Sequence, residues 1–125
     1  MGEQTETAWA AGLFDGEGST SIQFDKRYVG RRGTFRLSMA QSGDDRAIEI
    51  LERFQRAVGG LGKIYGPYQP PPPSRKPKYH WYSHNARALE ALNILRPYLS
   101  RAKRLQAALT EIQWEYSTSK GGRRG

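Results

Sequence analysis

Two hydrophobic periods alternate along the chain. Residues 19 to 25, STSIQFD, switch strictly between polar and apolar, so in an extended strand Thr20, Ile22 and Phe24 share one side while Ser19, Ser21, Gln23 and Asp25 share the other. Residues 34 to 40, TFRLSMA, repeat the pattern, with Phe35, Leu37 and Met39 on the apolar side and Thr34, Arg36 and Ser38 on the polar one. The stretch KRYVGRRG between them is rich in glycine and arginine and predicts a hairpin turn. GKIYGPY (62 to 68) and KYHWYSH (78 to 84) read as a second pair of strands, joined by the proline-rich loop QPPPPSRKP.

The helical period fills the intervals. Thr7 is placed to cap a first helix in which Ala8, Gly12 and Gly16 recur every four residues, a strip of small side chains that another backbone can approach closely. Asp44 or Asp45 caps a second helix whose Ala47, Ile48, Leu51, Phe54 and Val58 share a face, and which stops at Gly59-Gly60. Asn85 caps a third, with Leu89, Leu92 and Leu95, and Pro97 ends or kinks it. Ser100 caps a fourth with Leu105, Leu109, Ile112 and Tyr116 along one side.

The order αββαββα(α) predicts the α+β class: a four-stranded antiparallel curved sheet with helices on one face. Residues 1 to 118 form one domain, and 119 to 125 a flexible basic tail. The sheet's second face stays polar and carries Ser19, Ser21, Gln23, Thr34, Arg36, Ser38, Lys63, Tyr65, Lys78, His80 and Tyr82. Arg27, Arg31 and Arg32 extend it through the first turn, and Arg75 and Lys76 through the proline-rich loop.

Charge turns that face into a candidate nucleic-acid interface. Twenty Lys and Arg oppose twelve Asp and Glu, for a net charge of +8 and a pI near 10.0, and fourteen of the cations are arginine. Guanidinium groups suit phosphates and guanine edges, and a basic ribbon or sheet of this composition can enter a major groove. The absence of cysteine excludes disulfides and thiolate metal sites, and His80 and His84 are too few for a histidine-rich one. No run approaches the ~20 apolar residues of a membrane span. The acidic start MGEQTETAWA lacks the basic and apolar regions of a signal peptide, so the expected setting is intracellular, with no membrane partner.

One stretch resists the general pattern. AAGLFDGEG, residues 10 to 18, ends an apolar helix in acids, where the helix dipole is itself negative. It resembles the LAGLIDADG signature: Gly12, Leu13, Asp15 and Gly18 stand at the G, L, first D and final G, while Gly16 replaces a small alanine and Glu17 the second acid. A hairpin, a helix, a second hairpin and a helix pair follow in that family's order. LRPYLSRAKRLQAAL (95 to 109) also resembles the family's segment after its second hairpin, so the resemblance covers residues 7 to 116.

The resemblance implies a homing endonuclease that cleaves both strands of a long DNA site with Mg²⁺ or Mn²⁺. It places Glu17 as the catalytic metal ligand with the Gly16 carbonyl beside it, Lys103 near the scissile phosphate, Gln41 where it orients a water, and Asp15 in support of the helix end. It makes the first helix a dimer interface through Ala8, Trp9, Gly12, Leu13 and Gly16. With a single motif present, it implies a C2 homodimer on double-stranded DNA of palindromic or nearly palindromic sequence. Read without it, residues 15 to 18 are an acidic helix end and turn, Lys103 is a solvated helix cation with Arg101 and Arg104 as substitutes, and Gln41 is a polar strand end. Two further functions use the same fold: a non-cleaving RNA maturase or transcription regulator, and one half of a two-motif monomeric endonuclease.

Overall fold

In the computed structural model, residues 2 to 24, 33 to 73 and 76 to 123 are described, with side chains as far as residue 117. The elements are α1 (Gly2–Glu17), β1 (Gly18–Gln23), β2 (Thr34–Ser42), α2 (Asp45–Ala57), β3 (Lys63–Tyr68), β4 (Lys78–His84), α3 (Asn85–Leu95), a 3-10 turn (Arg96–Tyr98) and α4 (Arg101–Arg123). The strands form one antiparallel sheet in the order β1-β2-β4-β3, so the second hairpin joins the first through β4. This is the α+β architecture the alternation predicts.

The apolar side of the sheet builds the core. Phe35, Leu37 and Met39 of β2 and Trp81 of β4 meet Ala10, Ala11 and Phe14 of α1, Leu51 and Phe54 of α2, and Ala88, Ala91, Leu92 and Leu95 of α3. The Phe54 ring lies edge-on to Trp81 with centroids 4.8 Å apart and stacks on Phe14 at 6.3 Å. Each such fully buried aromatic removes enough apolar surface from water to stabilise the fold by about 2 to 3 kcal/mol. Trp81 also donates its indole N–H to the Leu61 carbonyl at 3.0 Å, so its one polar atom is satisfied inside the core.

Four expectations change at the element ends. Helix α1 starts at Gly2, well before Thr7, whose hydroxyl donates back to the Glu3 carbonyl at 2.9 Å as a mid-helix threonine does. The β1–β2 ladder ends at the Gln23–Thr34 pair, so Phe24 lies beyond the strand and is 63% exposed. Asn85 does not cap α3. With φ at 52° it turns its Oδ1 to accept the Phe35 N–H at 3.1 Å, and His84 takes the cap position without a side-chain hydrogen bond. The stripe Leu105, Leu109, Ile112 and Tyr116 of α4 faces outward, because the helix docks on β1 and β2 through Ala107, Thr110 and Trp114 instead. Asp44 and Ser100 cap as expected, accepting the N–H groups of Arg46 and Lys103. Helix α4 continues as far as Arg123, into the segment that composition reads as a tail. No helix among the described residues is long and apolar enough to cross a membrane.

Candidate active site and nucleic-acid interface

The site begins where α1 runs straight into β1. A Cβ at Gly18 would lie 2.2 to 2.4 Å from the Phe14 ring, so only glycine lets the chain turn over that buried ring without displacing it. The turn leaves Gly16 and Glu17 exposed at the end of the helix. Ala8 and Gly12 are exposed on the same strip, and nothing outside the helix lies within 4 Å of a Cβ built at Gly12 or Gly16. Trp9 and Leu13 are only half-buried, yet they pack against the core. The Arg53 guanidinium covers the Trp9 ring at 3.8 Å and is held by Glu6 at 2.6 and 2.9 Å, a hydrogen-bonded pair that lowers the Glu6 pKa.

A closed ring of contacts ties α4 to this end of α1. The Asp15 carboxylate accepts the Ser100 N–H at 3.0 and 3.2 Å, and the Ser100 hydroxyl accepts the Lys103 N–H at 3.3 Å. The Lys103 ammonium then donates to the Gly18 carbonyl at 2.7 Å and lies 5.7 Å from the centre of the Phe14 ring. An acid at the negative end of its own helix therefore sits at the positive end of another, which compensates its position. Lys103 is brought beside the backbone that carries Glu17 and Gly16. Gln41 is not joined to them by any hydrogen bond among the described residues. It lies on β2 two residues past Met39, the partner of Gly18, and lines a cleft of about 390 Å³ with Asp44, Arg46 and Lys76.

The polar face forms rows across the strands. Ser21, Arg36 and His84 make one, Ser19, Ser38, Tyr82 and Lys63 the next, then Ala40, His80 and Tyr65, and finally Ser42, Lys78 and Tyr68, with Gln23 opposite Thr34 at the outer corner. The rings among them are in mutual contact. His80 and Tyr82 stack 5.5 Å apart and 4° from parallel, Tyr68 lies 5.6 Å from His80, Tyr65 5.7 Å from Tyr82, and the Arg36 guanidinium sits 4.8 Å over Tyr82. Burial first, and then the charges of Lys78 and Arg36, lower the His80 pKa; burial and Arg36 lower that of His84. Arg27, Arg31, Arg32 and Arg75 lie outside the described residues.

Sequence reasoning missed two groups. His84 and Tyr68 belong to the same face, and the parity of His84 with His80 and Tyr82 along β4 was a usable signal for the first. No local signal marks the Asp15–Ser100 contact, which spans 85 residues.

Comparison with solved structures places this arrangement. The homing endonuclease I-CvuI in complex with its target, in the presence of Ca, is 23% identical with a TM-score of 0.67, over 86% of this chain and 64% of that one. The I-SmaMI LAGLIDADG homing endonuclease bound to cleaved DNA is 21% identical at TM-score 0.62, over 93% of this chain and 39% of that one. The LAGLIDADG homing endonuclease I-GzeII in complex with its DNA target is 19% identical at TM-score 0.60, over 78% and 31%. The chain thus spans between 31% and 64% of the length of these structures. No family model and no curated protein matches the sequence. With four antiparallel strands under one layer of helices, and AAGLFDGEG at the end of the first helix, the chain has the fold of the LAGLIDADG homing endonucleases.

Proposed function

We propose that the chain is a site-specific DNA endonuclease that works as a homodimer, with Glu17 supplying the metal-binding carboxylate at each of two scissile phosphates. The observation that carries this is the convergence at one end of α1. Glu17 is exposed there with no hydrogen-bond or ion-pair partner among the described residues, the Lys103 ammonium is anchored on the next carbonyl, and the sheet whose polar face carries Arg36, Lys63 and Lys78 begins at the very next residue.

The donor set fits a hard cation only as half of a site. No three His, Cys, Asp or Glu side chains cluster among the described residues, and each chain offers only one carboxylate, that of Glu17, and the Gly16 carbonyl. Mg²⁺ is content with few protein ligands and keeps several waters. A second Glu17 and phosphate oxygens would complete the set, and the bare strip Ala8, Gly12 and Gly16 supports the close helix packing that brings two ends together. When bound, the ion supplies charge neutralisation at the phosphate and an activated water. The protein does the rest: the sheet face holds the duplex, the Asp15–Ser100 contact fixes α4, and Lys103 presents a fixed positive charge where charge develops on the phosphate.

The decisive experiment is a cleavage selection against a randomised palindromic duplex library in Mg²⁺, run with the wild type and with Glu17→Gln. Cutting by the wild type and loss of cutting by the variant is the expected result. A wild type that binds tightly and leaves every duplex intact would instead identify a non-cleaving nucleic-acid-binding protein. Sedimentation of the free protein tests the dimer, and a monomer at micromolar concentration would point to one half of a two-motif enzyme.

A further inference from the structure

Helix α4 carries two rows of side chains on opposite sides, each stepping by four, three and four residues. The inner row is Lys103, Ala107, Thr110 and Trp114. It is held by the Gly18 carbonyl, the Thr20 hydroxyl and the Gly33 carbonyl, and the Trp114 ring lies 5.5 Å from that of Phe35. The outer row is Leu105, Leu109, Ile112 and Tyr116, which are 60%, 54%, 61% and 62% exposed. The larger aliphatic side chains thus lie on the side the fold does not use. At about 100° per residue the outer row spans an arc of only about 60°, the narrow seam of a two-stranded coiled coil rather than the broad stripe of a helix that packs on a sheet. It exposes on the order of 400 Å² of apolar surface, a patch of the size that marks a contact with another macromolecule.

The edges of the row identify the occupant. One edge is basic in its first half, with Arg101 and Arg104, and acidic in its second, with Glu111 and Glu115; the other edge carries Gln106 and Gln113. Glu111 is already paired with Arg96 at 2.9 Å, which leaves Glu115 as the acid that faces outward. We propose that a second copy of this chain docks on the row, its α4 antiparallel to the first about a two-fold axis that passes between Leu109 and Ile112. Steps of four, three and four read the same in both directions, so Leu105 meets Tyr116 of the second copy and Leu109 meets its Ile112. Like edges face each other in an antiparallel pair. Arg104 therefore comes within one helical turn of Glu115 of the second copy, and Gln106 within one turn of its Gln113. Two such rows remove on the order of 800 Å² of apolar surface, and the edges bring the total to roughly the 1,000 Å² at which specific contacts begin. An area at that limit belongs to a transient contact that forms at high protein concentration. Because α4 lies on the core side of β1 and β2, the pair leaves the polar sheet face of each copy uncovered. It rests neither on the small-residue strip of α1 nor on the DNA-binding reading.

Sedimentation equilibrium of the full chain, from micromolar to several hundred micromolar, tests the proposal. The wild-type mass should rise at least twofold across that range, whatever assembly α1 forms at its start. Leu109→Glu and Ile112→Glu change exposed positions, so both should keep the wild-type melting temperature, and each should weaken the association by about tenfold or more. Arg104→Glu and Glu115→Arg should each weaken it by about fivefold, since symmetry counts every change twice, and the two together should restore it. A wild-type mass that stays at its micromolar value overturns the proposal and leaves the row to a different protein. A rise that survives Leu109→Glu overturns it as well, and a double charge variant as weak as the single ones overturns the antiparallel arrangement.

Discussion

Glu17 and Asp15 are both acids in the last turn of α1, and their surroundings separate them. Asp15 accepts a backbone N–H at the start of α4, whereas Glu17 is exposed and has no hydrogen-bond or ion-pair partner among the described residues. An exposed anion at a helix C-terminus costs roughly 0.3 to 1 kcal/mol, so Glu17→Gln is expected to stabilise the free protein by about that much in chemical denaturation, even as it removes cleavage. Asp15→Ala should do the opposite. Losing a cap-like hydrogen bond to α4 costs about 1 kcal/mol, and it frees the turn that carries Lys103, so stability and any cleavage should fall together. A melting temperature for Asp15→Ala equal to the wild type's would show that the contact is dispensable. The LAGLIDADG resemblance made the type and order of these acids legible in the sequence. It also implied that Asp15 supports the helix end and Glu17 does not; the group that Asp15 holds was not legible, because Ser100 lies 85 positions away.

At the scale of the element, periodicity was a good guide to faces and a poor one to partners. Phe35, Leu37 and Met39 are buried as the alternation of β2 requires, and Ala47, Leu51 and Phe54 as the helical period of α2 requires. The same rule fails for α4, whose apolar stripe Leu105, Leu109, Ile112 and Tyr116 is 54% to 61% exposed in its first three members, while the smaller Ala107 and the lone Trp114 do the packing. The reason lies in what the helix meets: β1 presents Thr20 there, and the Thr110 hydroxyl comes within 3.5 Å of it, with Trp114 donating to the Gly33 carbonyl at 2.8 Å. Helix α1 gives the cleaner test. Gly12 has open space around it, so Gly12→Leu is expected to leave the monomer fold at least as stable, given the better helix propensity of leucine. In sedimentation the same variant should lose self-association, since a branched side chain holds two backbones apart at the strip. A variant that still sediments as a dimer would place the interface elsewhere.

At the scale of the whole molecule, two histidines on the sheet face are expected to link folding, and with it the proposed duplex binding, to pH. Burial and neighbouring cations depress both pKa values below the ordinary 6.5, so between those values and 6.5 the unfolded chain binds more protons than the folded one. The free protein should therefore hold its full stability above about pH 6.5 and lose part of it as the pH falls further. Duplex phosphates act in the reverse sense, favouring the protonated rings, so affinity should rise between pH 8 and pH 6, and His80→Gln with His84→Gln should flatten that rise in an anisotropy titration. The sequence by itself determined the elements, the apolar side of each strand, the basic character of the opposite face and the acidic end of α1, because these follow from local periods, composition and a short signature. Only the tertiary structure decided that Lys103 rests on the Gly18 carbonyl, that Asp15 starts α4, that Asn85 is diverted to β2, and that the α4 stripe stays outside. Each of those is a contact between residues distant in the chain, and no period within a single segment encodes which other segment will arrive beside it.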